Sequence, residues 1–364
     1  MSGRLRIAVL AGGRSSEHEV SLASARSVIA GLEAAGCEVV PMLIGRDGRW
    51  TAVAGADELA PGPDAPARLQ PPSEPSPGVA LAPGAGSRSL AATGSIGDVD
   101  VVFPVLHGPY GEDGTIQGLL ETLGVAYVGS GVLAAAATAD KDVCKRLAAG
   151  AGIAVVPSLT LLDRPADRDV VAVRERVEAE LGWPVFVKPA SLGSSVGISK
   201  VHGPDELADG LALGFRHDRK VLVEAFVEGR ELEVGVLGND EPVASVVGEI
   251  VPHAEWYDYA AKYEAGGSEI AIPAELPEAV AGLVRETALA AFSALGLCGM
   301  ARVDFFLARS GQLYLNEINT IPGFTATSVY ASLFAASGVP YPVLLRRLAE
   351  LAVERKASDE RYAH

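Results

Sequence analysis

Residues 5–11, LRIAVLA, run almost unbroken through apolar side chains into Gly12-Gly13. A strand with one wet face alternates apolar and polar residues. A short, nearly continuous apolar run instead fits a strand covered on both faces, as in a parallel sheet flanked by helices. A helical pattern follows from about Glu19 to Ala35, and Cys37–Ile44 reads as the next strand. This order of strand, glycine loop, helix and strand predicts that an open α/β domain begins the chain. Arg4 and Arg6 ahead of the apolar run mimic the start of a signal peptide, but the run is too short.

The same grammar continues downstream. Asp100–Leu106 reads as a buried strand, a helix is expected from about Thr115 to Leu123, and a strand near Val125–Val128. After Gly129-Ser-Gly131 one helix is expected to run through Lys141 and Lys145. Strands near Ser158–Leu162 and Val185–Lys188 bracket a charged helix at Ala172–Leu181. Beyond Gly197 the pattern changes to short strands with one long helix, Pro277–Leu295, a hairpin at Met300–Asn319 and a last amphipathic helix at Pro342–Glu354. The expectation is therefore α/β at the start and α+β later. Between Pro61 and Pro83 lie eight of the 23 prolines, mixed with Gly, Ala and Ser, which predicts a surface insertion over about 61–98.

Composition removes several classes of function. Thirty Lys and Arg against 46 Asp and Glu give a net charge of -16, so the footprint of a nucleic-acid binder is missing. Any anion must be held by local cations and backbone amides against a repulsive field. Three scattered cysteines, Cys37, Cys144 and Cys298, form no CxxC pair and fit a reducing cytoplasm. No apolar run approaches the length needed to span a membrane.

Two motif matches fail on context. Gly129-Ser-Gly131-Val-Leu-Ala134 fits GxGxxA, but the acidic residue expected about 20 positions later is missing, which leaves a tight turn and a helix start. Gly193-Ser-Ser195-Val-Gly197 fits GxSxG, yet Ile198–Val201 alternates like a strand, whereas a nucleophile elbow needs a helix there. The run Val185–Ser199 is more useful as a phosphate loop: a strand delivers Lys188, and small residues free backbone N–H groups. An ordinary hairpin with an edge lysine is the plainer alternative. Only seven of the 30 cations are lysine, and Lys141, Lys188 and Lys262 sit in motif-like contexts. A compact ammonium on phosphate is one reason to keep Lys where Arg is the habit.

The hairpin carries the most chemistry. A four-residue turn at Ala308–Gly311 places Arg302 opposite Glu317 and Asp304 opposite Leu315, with Arg302, Asp304, Glu317 and Asn319 on one face. Three oxygen donors beside an arginine suit Mg²⁺. A solvated face with a cross-strand salt bridge is the alternative, and a loop of odd length would break this register. His107-Gly-Pro-Tyr-Gly-Glu-Asp-Gly114 ends a buried strand, the usual address of a site in an open α/β sheet, or else merely caps the next helix. Glu17-His18-Glu19 could bind an amine or simply start a helix. His202, His217, His253 and His364 lack ligand spacing and read as surface residues.

Together these segments resemble the D-alanine–D-alanine ligases of the ATP-grasp superfamily. The resemblance rests on GRSSEHEVS ending at Ser21, His107–Gly118 (HGPYGEDGTIQG), Asp140-Lys141, Val187-Lys-Pro189 with Gly193–Gly197, Tyr257–Tyr263 (YDYAAKY), Arg302-Val-Asp304 and Asn316–Thr325 (NEINTIPGFT), in the family's order. It implies an N-terminal α/β substrate domain over 1–129, a central ATP-grasp lobe over 130–226 and a C-terminal lobe over 227–364. It implies ligation of two D-alanines through an acyl phosphate for peptidoglycan precursors, with a depsipeptide or another dipeptide as the alternative product.

Roles follow by position. Lys141 and Lys188 match phosphate-binding lysines, Glu224 and Val227 the adenine segment, and Glu231 the ribose contact. Ser195 belongs to the ATP loop, and Lys262 faces phosphate in the closed state. Asp304, Glu317 and Asn319 match the ligands of two Mg²⁺, with Mn²⁺ as a substitute. Arg302 and the Gly323 N–H match the oxyanion site. Glu17 matches the holder of the first substrate's ammonium and forms a trio with Ser194 and Tyr263, while Ser328 matches the group that binds the second carboxylate. The intact YDYAAKY loop favours an amine as the second nucleophile. Phe324 and Val329 stand where methionine and leucine are frequent, which leaves fine selectivity open. A cytoplasmic homodimer is the implied setting.

Overall fold

The computed structural model describes residues 4–59, 79–81, 90–92, 98–193, 195–252 and 268–362. Three main sheets organise them. The first has the order β3-β2-β1-β6-β7 and comprises β1 (Arg6–Gly12), β2 (Glu38–Ile44), β3 (Trp50–Ala52), β6 (Val101–Pro104) and β7 (Ala126–Tyr127). The pairs β1–β2, β1–β6 and β6–β7 are parallel, as the opening apolar run predicted. Ile7 through Ala11 are fully buried, because α1 (His18–Ala34) covers one face and α2 (Thr115–Leu123) and its neighbours cover the other. Within the proline-rich stretch, β4 (Val79–Leu81) and β5 (Leu90–Ala92) pair antiparallel.

The expected single helix after Gly131 is two: α3 (Val132–Ala139) and α4 (Lys141–Gly150). Asp140 breaks them. Its backbone is extended, and its side chain accepts from the N–H groups of Asp142 and Val143, an N-cap that starts a new helix. The Lys220 ammonium bridges Asp140 and Asp142, fixing the start of α4 and hence Lys141.

The second sheet, order β10-β9-β11-β8, is built from β8 (Ser158–Leu162), β9 (Val185–Pro189), β10 (Ser199–Val201) and β11 (Lys220–Ala225). Its pairs are antiparallel, and α5 (Val170–Glu180) and α6 (Leu207–His217) back it. The Gly/Ser run is thus a strand–turn–strand, which removes the nucleophile-elbow reading. The third sheet, order β14-β13-β12-β15-β16, joins β12 (Gly229–Gly238), β13 (Val243–Pro252), β14 (Ser268–Ala271), β15 (Gly299–Ala308) and β16 (Leu313–Asn319). α7 (Glu278–Ala294) buries Val284, Ala288, Ala291 and Phe292 against it.

The C-terminal helices α8 (Val329–Ala336) and α9 (Tyr341–Asp359) return to the first sheet. Leu344, Leu345 and Leu348 join Ile7, Val9, Ile29 and Leu32 in one core. This packing brings the loop after β16 up against α1.

Candidate active site

The register of β15 and β16 differs from the sequence expectation in an instructive way. The turn is five residues long, since Leu307 pairs with Leu313, Phe306 with Tyr314 and Phe305 with Leu315. Carried onward, that register would have placed Glu317 and Asn319 on the face opposite Arg302 and Asp304. A bulge between Asp304 and Phe305 absorbs Asn316 and adds a second one-residue shift. Asp304 therefore faces Glu317, and Arg302 faces Asn319. The two shifts cancel in parity, and the four side chains share a face as expected, with different partners.

On that face the Arg302 guanidinium donates from Nε and Nη2 to the two Asp304 carboxylate oxygens at 2.8 and 2.7 Å. Asn319 Nδ2 donates to Asp304 Oδ2 at 2.9 Å, which leaves its amide oxygen as an acceptor. Glu233 on β12 pairs with Asp304 in the ladder, and its Oε1 lies 3.3 Å from Arg302 Nε. Burial lowers the Arg302 pKa, but Asp304 and Glu233 outweigh it and drive it upward.

A lysine cluster meets this face. Lys141 Nζ, from the first turn of α4, lies 3.4 Å from Glu317 Oε2 and donates to the Leu192 carbonyl at 2.7 Å. Lys188 Nζ, from β9, pairs with Glu224 of β11 and reaches the bulged Asn316 Oδ1 at 3.4 Å. Lys145, one helical turn after Lys141, lies 2.9 Å from the other Glu224 oxygen. Burial alone would raise the Glu224 pKa; the two ammoniums reverse that and hold it at about 2. Burial lowers the Lys145 pKa, opposed by Glu224.

The other residues expected to meet the nucleotide lie on neighbouring segments. Ser195 occupies the loop after β9 at φ 59, a left-handed conformation unusual for a residue with a side chain. Val227 is half-buried between β11 and β12. Glu231 lies two residues before Glu233, on the same strand face. Ser194, Lys262 and Tyr263 lie outside the described residues.

The residues expected to meet substrate include Glu17 and His107, which follow β1 and β6. Glu17 precedes α1, and a Cβ at Gly108 would collide with its Oε2, so the carboxylate rests against the His107-Gly108 turn. His107 is buried; its Nδ1 lies 3.0 Å from the Ile321 carbonyl and 3.6 Å from Glu112 Oε1. Burial pulls the His107 pKa down, and the Glu112 contact more than offsets it. Gly323 faces Ser328, whose Oγ donates to the Thr325 carbonyl at 2.7 Å. The Phe324 ring does not line a pocket. It is fully buried against Phe103, Tyr330 and Tyr341. His202 and His217 are exposed, as expected.

Sequence reasoning passed over Lys145, Glu233 and Asn316. Two signals were available: Lys145 follows Lys141 by four residues on a helix, and Glu233 follows Glu231 by two on a strand. Asn316 carried none, because bulging is decided by the ladder around it.

The donor set fits a divalent cation by its chemistry. Two carboxylates and an amide oxygen are hard ligands on one face, with Arg302 and Lys141 beside the carboxylates. Among the described residues, no three His, Cys, Asp or Glu side chains form a metal cluster by themselves.

Lysines from α4 and β9, set over an acid–amide–arginine face on a second antiparallel sheet, define an ATP-grasp ligase. Family models described as the D-ala D-ala ligase N-terminus and C-terminus match residues 6–130 and 147–350. The chain is 48% identical over 362 residues to a D-alanine--D-alanine ligase of Deinococcus radiodurans, covering 96% of this chain and 99% of that one. It is 46% identical over 353 residues to one from Geobacillus thermodenitrificans, covering 97% and 96%. The solved D-alanine-D-alanine ligase of Coxiella burnetii superposes with a TM-score of 0.86 at 36% identity, covering 98% and 96%. The VanG D-Ala:D-Ser ligase of Enterococcus faecalis gives 0.84 at 35%, covering 96% and 100%. The chain belongs to the D-alanine–D-alanine ligase family.

Proposed function

We propose that this enzyme joins two D-alanine molecules, with conversion of ATP to ADP and phosphate, to supply D-alanyl-D-alanine for peptidoglycan precursors. The observation that carries this reading is the single strand face bearing Arg302, Asp304, Glu317 and Asn319, met by Lys141 and Lys188.

The chemistry follows from the difficulty of the reaction. A carboxylate repels a nucleophile. Transfer of the ATP γ-phosphoryl group to the first D-alanine's carboxylate gives an acyl phosphate and ADP. The second D-alanine's neutral amine then attacks the carbonyl carbon to form the C–N bond, and phosphate departs as the C–O bond breaks, taking up the N–H proton that the new amide releases. Glu17 holds the first ammonium, and Lys141 and Lys188 hold phosphates. Glu224, Val227 and Glu231 receive the nucleoside, with Ser195 in the loop above it. Asp304, Glu317 and Asn319 would hold two Mg²⁺, or Mn²⁺ in their place, which when bound would neutralise phosphate charge. Arg302 and the Gly323 N–H stabilise the oxyanion formed during attack, and Ser328 binds the second carboxylate. Ser194, Tyr263 and Lys262 complete the closed site and exclude water from the acyl phosphate.

The domain borders are drawn at 129 and 226. A cytoplasmic homodimer completes the reading on family likeness alone; sedimentation equilibrium tests the dimer. The function is tested by incubating protein, ATP, Mg²⁺ and D-alanine while measuring phosphate and dipeptide together. Stoichiometric dipeptide supports it. No dipeptide at millimolar D-alanine, or a preference for D-lactate or D-serine as acceptor, refutes it.

A further inference from the structure

The loop that carries Gly323 is fastened to α1 by a row of serines. Ser24 and Ser27 lie three residues apart on one face of that helix. Phe324 N–H donates to Ser24 Oγ at 3.3 Å, and Ala326 N–H donates to Ser27 Oγ at 2.9 Å. Ser24 Oγ also lies 3.1 Å from His107 Nε2, and His107 Nδ1 lies 3.0 Å from the Ile321 carbonyl. One proton arrangement satisfies all of these: Nδ1–H donates to Ile321, Ser24 O–H donates to Nε2, and the Ser24 oxygen accepts from Phe324. Tyr341, whose ring lies against Gly31 of the same helix α1, donates its O–H to the Phe324 carbonyl at 2.6 Å. Residues 321, 324 and 326 are thus held by named partners. Among the described residues, the Gly323 N–H donates to no backbone or side-chain acceptor. A donor left unspent between pinned neighbours is what a preorganised oxyanion site requires.

We propose that Ser24 and Ser27 are positioning residues for the oxyanion loop, setting the Gly323 N–H from the N-terminal domain. The proposal rests on the role given to Gly323 above. Neither serine touches substrate. Each acts through the backbone of the loop, where a misplacement of an ångström costs on the order of 100-fold in rate.

The test is steady-state kinetics of Ser24→Ala, Ser27→Ala and Ser27→Thr in the full chain, with thermal melting of each. The alanine variants are expected to lose about ten-fold or more in kcat, within the range for a weakened oxyanion donor. KM for ATP should stay within two-fold, because Lys141, Lys188 and Glu224 lie on other elements. Ser27→Thr keeps the acceptor oxygen and should restore kcat. Ser27 is half-buried, so its variants bypass any failure of Ser24→Ala to fold. Unchanged kcat in Ser27→Ala, or a rise in KM for ATP parallel to the loss in kcat, overturns the proposal. Arg302→Met is the control for the underlying reading: if it retains full turnover, the oxyanion assignment itself is wrong; if it is inactive while Ser27→Ala is normal, only the serine role fails.

Discussion

Asp304 and Glu317 stand opposite each other on β15 and β16 because Asn316 is squeezed out of the ladder beside them. A five-residue turn would otherwise have sent Glu317 and Asn319 to the far face. Inserting one alanine between Asn316 and Glu317 is therefore expected to lower dipeptide synthesis at least about 100-fold, since the bulge absorbs only one residue and every later side chain on β16 then changes face. Asn316→Ala keeps the bulge and loses the Lys188 contact, so it should stay within about ten-fold of the parent. Initial rates, with circular dichroism to verify folding, separate the two.

Asp304→Ala should abolish turnover while the fold persists. The Arg302 guanidinium loses its bidentate partner but keeps Glu233 at 3.3 Å. The stability cost is expected at about 3 kcal/mol, the lower end for a broken buried pair. Urea unfolding measures it, and retained turnover would count against the metal assignment.

Gly108→Ala addresses the first-substrate subsite. Gly108 sits at φ +73, and an added Cβ would strike the Glu17 carboxylate. A rise of about ten-fold or more in KM for D-alanine is expected, with KM for ATP unchanged. An unaltered KM for D-alanine would remove Glu17 from the ammonium site.

Glu224 makes stability acid-sensitive. Its pKa is held at about 2, below the ordinary 4.5, by Lys145 and Lys188 against the opposing effect of burial. The resulting stabilisation, on the order of 3 kcal/mol, is complete above pH 4.5 and is lost as pH falls toward 2. Urea midpoints measured across that window should drop steeply in the parent and less steeply in Glu224→Gln.

Phe324 is a test of packing against selectivity. Its ring is fully buried among Phe103, Tyr330 and Tyr341. Phe324→Ala should cost about 3–5 kcal/mol. Phe324→Met, closer in volume, should cost under about 1.5 kcal/mol. Neither should change the ratio of D-alanine to D-lactate used as acceptor, which a competition assay reads directly.

The parallel opening sheet, the hairpin at Met300–Asn319 and the strand face with its arginine, acids and amide were legible in the residue order. The first depends on an unbroken apolar run and the last on the period of two along a strand, both of which are local properties of the residue order. The break at Asp140 was hidden because no glycine or proline separates α3 from α4, and only the cap shows where one stops. Lys145 and Glu233 were visible as charges on the right face, but not as buried ones. Burial depends on which distant strand or helix covers a residue.

Sequence alone determined which side chains this protein could bring to a phosphate, a carboxylate and a metal. Tertiary structure decided the pairing: the bulge that put Glu317 beside Asp304, the shared Glu224 between two lysines, and the α1 serines that hold the loop around Gly323. A ladder register and a hydrogen bond across 300 residues, such as that from Phe324 to Ser24, depend on packing between segments that carry no local trace of each other.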